Sequence, residues 1–166
     1  PSIKLTYTLP KILDVENDNP LGQDIWTELD KFILPKCVTQ KEYCEEKIRR
    51  TGMKKAQNAG KRKAIWEAVE TIFTEWNKLE EQPVQYAIYK LVQKIENGEY
   101  TIPEELKTDY LFVDEVQDLT AATLRLIRAS VRESMILAGD NDQSVFQPGF
   151  TWNRAGIDIS GHSKIL

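Results

Sequence analysis

Cysteine and histidine are scarce in this sequence of 166 residues: Cys37 and Cys44 are its two thiols and His162 is its one imidazole. That removes a disulfide scaffold and most zinc frameworks, and a reducing, cytoplasmic setting is the expectation. Ser-His-Asp catalysis is left with His162 alone, in Gly161-His162-Ser163 and without a nucleophile elbow. The two cysteines read as packing or inert thiols. No apolar run approaches the ~20 residues that span a bilayer, and no charged-then-apolar leader opens the chain, so no membrane partner is expected. Internal repeats and low-complexity tracts are missing too. So is the phosphate-binding loop G-x-x-x-x-G-K-[ST]. The one Gly-Lys pair, Gly60-Lys61, runs on into Arg62, and Lys55 stands where the first glycine belongs.

What is present is an ordinary globular composition, 41% hydrophobic and 29% charged, with a formal net charge of −4. The length predicts one domain, or one domain with an inserted piece. The chain opens on Pro1 rather than methionine and closes on an apolar Ile-Leu pair, so a piece of something longer is expected. The average charge hides an asymmetry. Lys47, Arg49, Arg50, Lys54, Lys55, Lys61, Arg62 and Lys63 follow one another with no acid among them, eight of 22 basic residues against 26 acids elsewhere.

The first two-thirds read as helical. Asn19-Pro20 is a cap and first helical position for a segment with Ile25, Trp26, Leu29, Phe32 and Ile33 at helical spacing, which Pro35 should stop. Thr39 and Glu42 form a capping box for a second helix running toward Arg50. Gly52 and Asn58-Ala59-Gly60 break the pattern. A long amphipathic helix then aligns Ile65, Val69, Ile72, Phe73, Trp76 and Leu79. Another follows Pro83 with Tyr86, Ile88, Leu91, Val92 and Ile95 and ends at Asn97-Gly98. The last third changes character. Tyr110-Leu111-Phe112-Val113 and Met135-Ile136-Leu137-Ala138 are short apolar runs of the kind found in parallel strands buried on both faces. A helix from Thr120 to about Val131 joins them into a βαβ unit, and Ile3-Lys4-Leu5-Thr6-Tyr7 is a candidate third strand.

Both runs end in acids, and in open α/β sheets chemistry collects at the carboxyl ends of the strands. In Asp114-Glu115-Val116-Gln117-Asp118, a carboxylate at the strand tip can hold magnesium through water, opposite a nucleotide phosphate. Its neighbour can orient or deprotonate an attacking water. The alternative is that these acids cap the next helix, a role Asp118 would fill. The second loop, Gly139-Asp140-Asn141-Asp142-Gln143-Ser144, has a glycine for a tight turn and a glutamine able to bond both phosphate oxygen and water. Beyond it lie Phe146, Phe150, Trp152 and Arg154; the rings can stack on bases of a single strand or pack in a core.

FVDEVQDL followed by ILAGDNDQSVFQ resembles motifs II and III of the UvrD/Rep-type superfamily 1 helicases, firmly from about Tyr110 to Phe150 and more weakly upstream. The resemblance implies an α/β fold. Residues 106–166 would be a partial RecA-like (P-loop NTPase) parallel sheet carrying Walker B and motif III. Residues 19–105 would be the mainly helical inserted subdomain and residues 1–18 an entry segment. It implies Asp114 as the Mg²⁺-coordinating aspartate and Glu115 as the catalytic base for ATP hydrolysis. Gln117 and Asp118 complete that motif, and Gly139 and Asp140 belong to the nucleotide-facing second loop. Gln143 would sense the γ-phosphate and link it to the DNA-contacting residues. Phe146 matches the usual tyrosine of Gln-Ser-Ile-Tyr. The chain departs from the common aromatic-Arg-Gly-Ala continuation with Gln147-Pro148-Gly149-Phe150-Thr151-Trp152-Asn153-Arg154, and Trp152 is favoured for base stacking. In this family the inserted subdomain touches duplex DNA, which would give Lys54, Lys55, Lys61 and Arg62 phosphates to bind; a solvated basic connector is the alternative.

The expected activity is that of a larger parent: an ATP- and Mg²⁺-dependent 3′→5′ DNA helicase of repair or recombination, cytoplasmic and nucleoid-associated. Its partners would be single-stranded DNA, duplex DNA and the remaining helicase domains. These 166 residues alone, without a phosphate cradle, are expected to be inactive. The alternatives are a helicase–nuclease subunit of the RecB or AddA kind and a non-catalytic DNA- or protein-binding module of a degenerate helicase.

Overall fold

The computed structural model describes residues 20–45, 53, 57–139 and 155–157. Two compact units divide the chain, Pro1–Ala87 and Ile88–Leu166. The candidate entry strand Ile3–Tyr7, the Asn19 cap, the basic residues Lys47 to Lys55 and His162 lie outside the described residues.

In the first unit the described residues form only helices. Helix α1 spans Pro20–Glu28 and passes directly into a π-helical turn, Leu29–Ile33. The helical element ends at Ile33, just ahead of Pro35 as expected, and a further turn follows. A proline inside an α-helix clashes with the carbonyl four residues back, here that of Lys31. The widened turn, closed by Leu34 N–H donating to the Leu29 carbonyl at 3.0 Å, lets the chain carry Pro35 and run one turn further. It ends at Cys37, buried and left-handed at φ +52°. There Val38 N–H reaches the Ile33 carbonyl and Cys37 N–H the Leu34 carbonyl, a Schellman closure.

Helix α2, Gln40–Cys44, starts at the expected capping box: Thr39 Oγ1 accepts from Glu42 N–H, and the Glu42 carboxylate accepts from Thr39 N–H at 2.8 Å. Helix α3, Ala59–Asn77, begins where the sequence predicted a break. Asn58 is its N-cap, its side chain accepting from Lys61 N–H at 2.8 Å, and Ala59 and Gly60 form the first turn. Ile65, Val69, Ile72 and Trp76 are buried as their spacing predicts; Leu79, past the helix end, is exposed. Trp66 is buried as well, beside Tyr43 at 5.6 Å between ring centroids. Tyr43 also reaches across to α1 and donates from its hydroxyl to Glu28, a buried carboxylate, at 2.9 Å. Burial pushes the thiol of Cys44 up, with Arg62 nearby partly opposing that, which keeps it a poor nucleophile.

Helix α4, Val84–Glu96, contains the boundary between the units. Tyr86 stacks on Phe73 at 4.7 Å within the first unit. The helix closes at Gly98, φ +73°, with Glu99 N–H bonded to the Lys94 carbonyl and Gly98 N–H to that of Ile95, the Schellman motif that Asn97-Gly98 foretold.

The second unit mixes helix and strand around a small parallel sheet. A 3₁₀ turn, Glu104–Leu106, leads into β1, Thr108–Val113. After a second 3₁₀ turn, Val116–Asp118, helix α5 runs Ala121–Ala129, and β2 spans Val131–Leu137. The strands are parallel, with Leu111 beside Met135, Phe112 beside Ile136 and Val113 beside Leu137. The helix cap is Thr120, whose hydroxyl accepts from Thr123 N–H at 3.0 Å; Asp118, the sequence candidate, is not the cap.

The strands are not buried on both faces. Tyr110, Phe112 and Ile136 are 73%, 63% and 62% exposed. Side chains alternate along a strand, and the face carrying Val113 and Leu137 is the one that packs on Leu124, Val116, Ala121 and Ala155. The opposite face holds the apolar residues that made the runs look doubly buried.

Candidate functional site

The site is built where β1 and β2 end side by side. The ladder does not stop with the last strand residues: Ala138 N–H donates to the Val113 carbonyl at 2.8 Å, and Val116 N–H donates to the Ala138 carbonyl at 3.0 Å. These bonds stitch the Asp114–Asp118 loop to the start of the loop after β2. Val116 anchors the first loop from below, buried in the small core against Leu124 and Ala155. The sequence folds this way because an apolar residue follows Asp114-Glu115 and is drawn under the sheet, which leaves both acids on the rim.

Asp114 and Glu115 are both exposed. Asp114 Oδ1 accepts from Glu115 N–H at 2.9 Å. Glu115 adopts a left-handed conformation, φ +51° and ψ +41°, uncommon for a residue with a side chain and costing on the order of 1–2 kcal/mol. Asp118 N–H closes the turn onto the Glu115 carbonyl at 2.9 Å. Gln117 is 6% exposed, and its side-chain amide donates to Glu115 Oε2. Asp118 itself is exposed.

Gly139 sits against this turn. A Cβ placed on it would stand 2.5 Å from Gln117 Oε1 and 2.6 Å from Val116 Cγ1. The sequence suggested a glycine for turn freedom; the structure shows that it is needed for space.

The donor set at the β1 tip is all oxygen, from two neighbouring carboxylates. That suits Mg²⁺, which takes one or two protein carboxylates and keeps several waters. Among the described residues no three His, Cys, Asp or Glu side chains gather into a cation cage.

Of the residues singled out from sequence, the structure brings together Asp114, Glu115, Gln117, Asp118 and Gly139. Asp140, Gln143, Phe146, Trp152 and Arg154 lie outside the described residues, as do Lys54 and Lys55. Lys61 and Arg62 open α3 in the first unit. The ammonium of Lys61 is bonded to Asp24 at 2.6 Å, and Arg62 is half-buried with its Nε enclosed and unbonded; Lys63 is exposed. Two features of the site were not read from sequence, the left-handed Glu115 and the buried Gln117 amide. A polar residue two positions after Glu115 is the available signal.

Residues 11–160 match the family model described as UvrD/REP helicase N-terminal domain. No curated protein and no solved structure matches the chain.

Proposed function

The chain belongs to the UvrD/REP helicase family, and on that premise we propose that it is the metal- and water-bearing part of an ATP-dependent 3′→5′ DNA helicase. The parent helicase acts on single-stranded and duplex DNA in repair or recombination, in the cytoplasm at the nucleoid. In this reading the β1–α5–β2 unit is part of a RecA-like domain and the upstream helices are its inserted subdomain. The observation that carries the proposal is the stitched pair of strand ends, which holds Asp114 and Glu115 on the rim beside Gly139.

Asp114 holds the cation by its carboxylate. Mg²⁺, when bound, neutralises charge developing on the phosphate oxygens of ATP. Glu115, one residue further and turned by its left-handed backbone, orients the attacking water and accepts its proton. Asp140 and Gln143 follow Gly139 in sequence and serve the nucleotide in this proposal; Gln143 reads the γ-phosphate. Phe146 or Trp152, with Arg154, contacts the single strand. On the first unit the phosphate-contacting role falls to Lys54, Lys55 and the exposed Lys63, because Lys61 spends its charge on Asp24.

The test is single-strand-stimulated ATP turnover by the full-length helicase. Glu115→Gln is expected to lower kcat by about a hundredfold or more, as removal of a general base does, while Mg²⁺-nucleotide binding persists. The 166 residues alone, which contain no phosphate loop, are expected to show no turnover. Wild-type kcat in the Glu115→Gln helicase would overturn the assignment.

A further inference from the structure

Glutamine is seldom buried, yet Gln117 is 6% exposed in a loop whose acids Asp114, Glu115 and Asp118 all face solvent. Its amide is held from two directions. On one side Nε2 donates to Glu115 Oε2. On the other, a Cβ on Gly139 would stand 2.5 Å from Oε1, so any larger residue there would displace the amide.

An exposed glutamate has several rotamers of similar energy, and one of them is selected here by a bond to a buried amide. The backbone of Glu115 is fixed as well, by its N–H to Asp114 Oδ1 and its carbonyl to Asp118 N–H. The carboxylate therefore has its position set by Gln117, whose amide lies against Gly139.

Resting on the reading of Glu115 as the residue that orients water, we propose that Gln117 is its positioning residue and that Gly139 is the contact that keeps Gln117 in place. Filling the space at Gly139 moves the amide, and the amide moves the carboxylate. The bond exchanged is the hydrogen bond from Nε2 to Oε2; no proton is transferred along it.

The experiment is steady-state ATP hydrolysis by the full-length helicase with saturating single-stranded DNA, with thermal melting to confirm folding. Gln117→Ala is expected to lower kcat about tenfold or more, since small misplacements at a reacting centre cost that much, while KM for ATP stays within about twofold. Gln117→Glu keeps the size but replaces the donor with a like charge, so it should fall as far. Gly139→Ala should give the same kcat-selective loss, and the double variant Gln117→Ala/Gly139→Ala should lose no more than the worse single one, because both act on one contact.

Wild-type kcat in Gln117→Ala, beside an inactive Glu115→Gln, overturns this inference and leaves the proposed function standing. Active Glu115→Gln overturns the function itself. A rise in KM with kcat unchanged, or losses that multiply in the double variant, also overturns the positioning role. If Gly139→Ala does not fold, the two Gln117 variants decide alone.

Discussion

Removing one oxygen from Tyr43 should destabilise the first unit while leaving its packing in place. Tyr43 and Glu28 are both 2% exposed, 15 residues apart in sequence, and the hydroxyl donates to Glu28 Oε2 at 2.9 Å. Tyr43→Phe keeps the ring between Phe32, at 6.2 Å, and Trp66, at 5.6 Å between centroids, so no large cavity forms. What is lost is a hydrogen bond to a carboxylate in a place water does not reach. Such bonds contribute about 1.5–3 kcal/mol, and the expected loss is about 2 kcal/mol. With a urea slope of about 2 kcal/mol/M, the unfolding midpoint falls by about 1 M. Trp26, Trp66 and Trp76 all lie in the first unit, so tryptophan fluorescence reports mainly on it. Tyr43→Ala, which also removes the ring, should cost a further ~2 kcal/mol or more. A folded Tyr43→Phe protein within about 0.5 kcal/mol of wild type, the range of neutral surface changes, would show that the bond contributes nothing. Equal losses in Tyr43→Phe and Tyr43→Ala would refute the claim that ring packing is a separate contribution.

Thr39→Ala removes the capping box of α2 and should cost about 1 kcal/mol, measured by the same urea titration. Gly98→Ala should cost about 1 kcal/mol for a purely backbone reason, since φ is +73° and a Cβ there meets nothing within 4 Å; thermal melting checks it. Glu104 is held below its ordinary pKa by Lys107 and Arg132, which bond its two carboxylate oxygens at 2.6 and 3.1 Å. Because its folded value is depressed, its contribution to stability is present above the ordinary carboxylate range and is lost as pH falls through the depressed value. Glu104→Gln should flatten the acid limb of the stability profile, and high salt should do the same to wild type, as the group is fully exposed.

Features closed by neighbours in sequence were legible. The Thr39–Glu42 box and the Asn97-Gly98 stop are short-range hydrogen-bond motifs, so residue types at fixed spacing suffice to read them. The stripe Ile65, Val69, Ile72 and Trp76 was legible because helical periodicity marks one face. Local reading failed where two rules competed. Asn58-Ala59-Gly60 reads as a break because glycine weakens helices, while asparagine at the first position is the stronger signal. Pro35 reads as a stop, and the helical element does end just before it at Ile33, but one further turn closed at Cys37 follows.

The sequence alone determined that two apolar runs end in acids, that Asp114-Glu115 and Gly139 stand at those ends, and that the chain carries the resemblance its family match bears out. All three are properties of order along the chain. The tertiary structure decided which face of each strand is covered, that Lys61 pairs with Asp24 37 residues away, and that Glu28 is buried against Tyr43. It also decided that Gly139 lies against Gln117. Those facts depend on which surfaces meet in space. No periodicity records that a glycine 22 residues downstream leaves room for one buried amide, because a steric contact is a property of the packed pair and of neither residue alone.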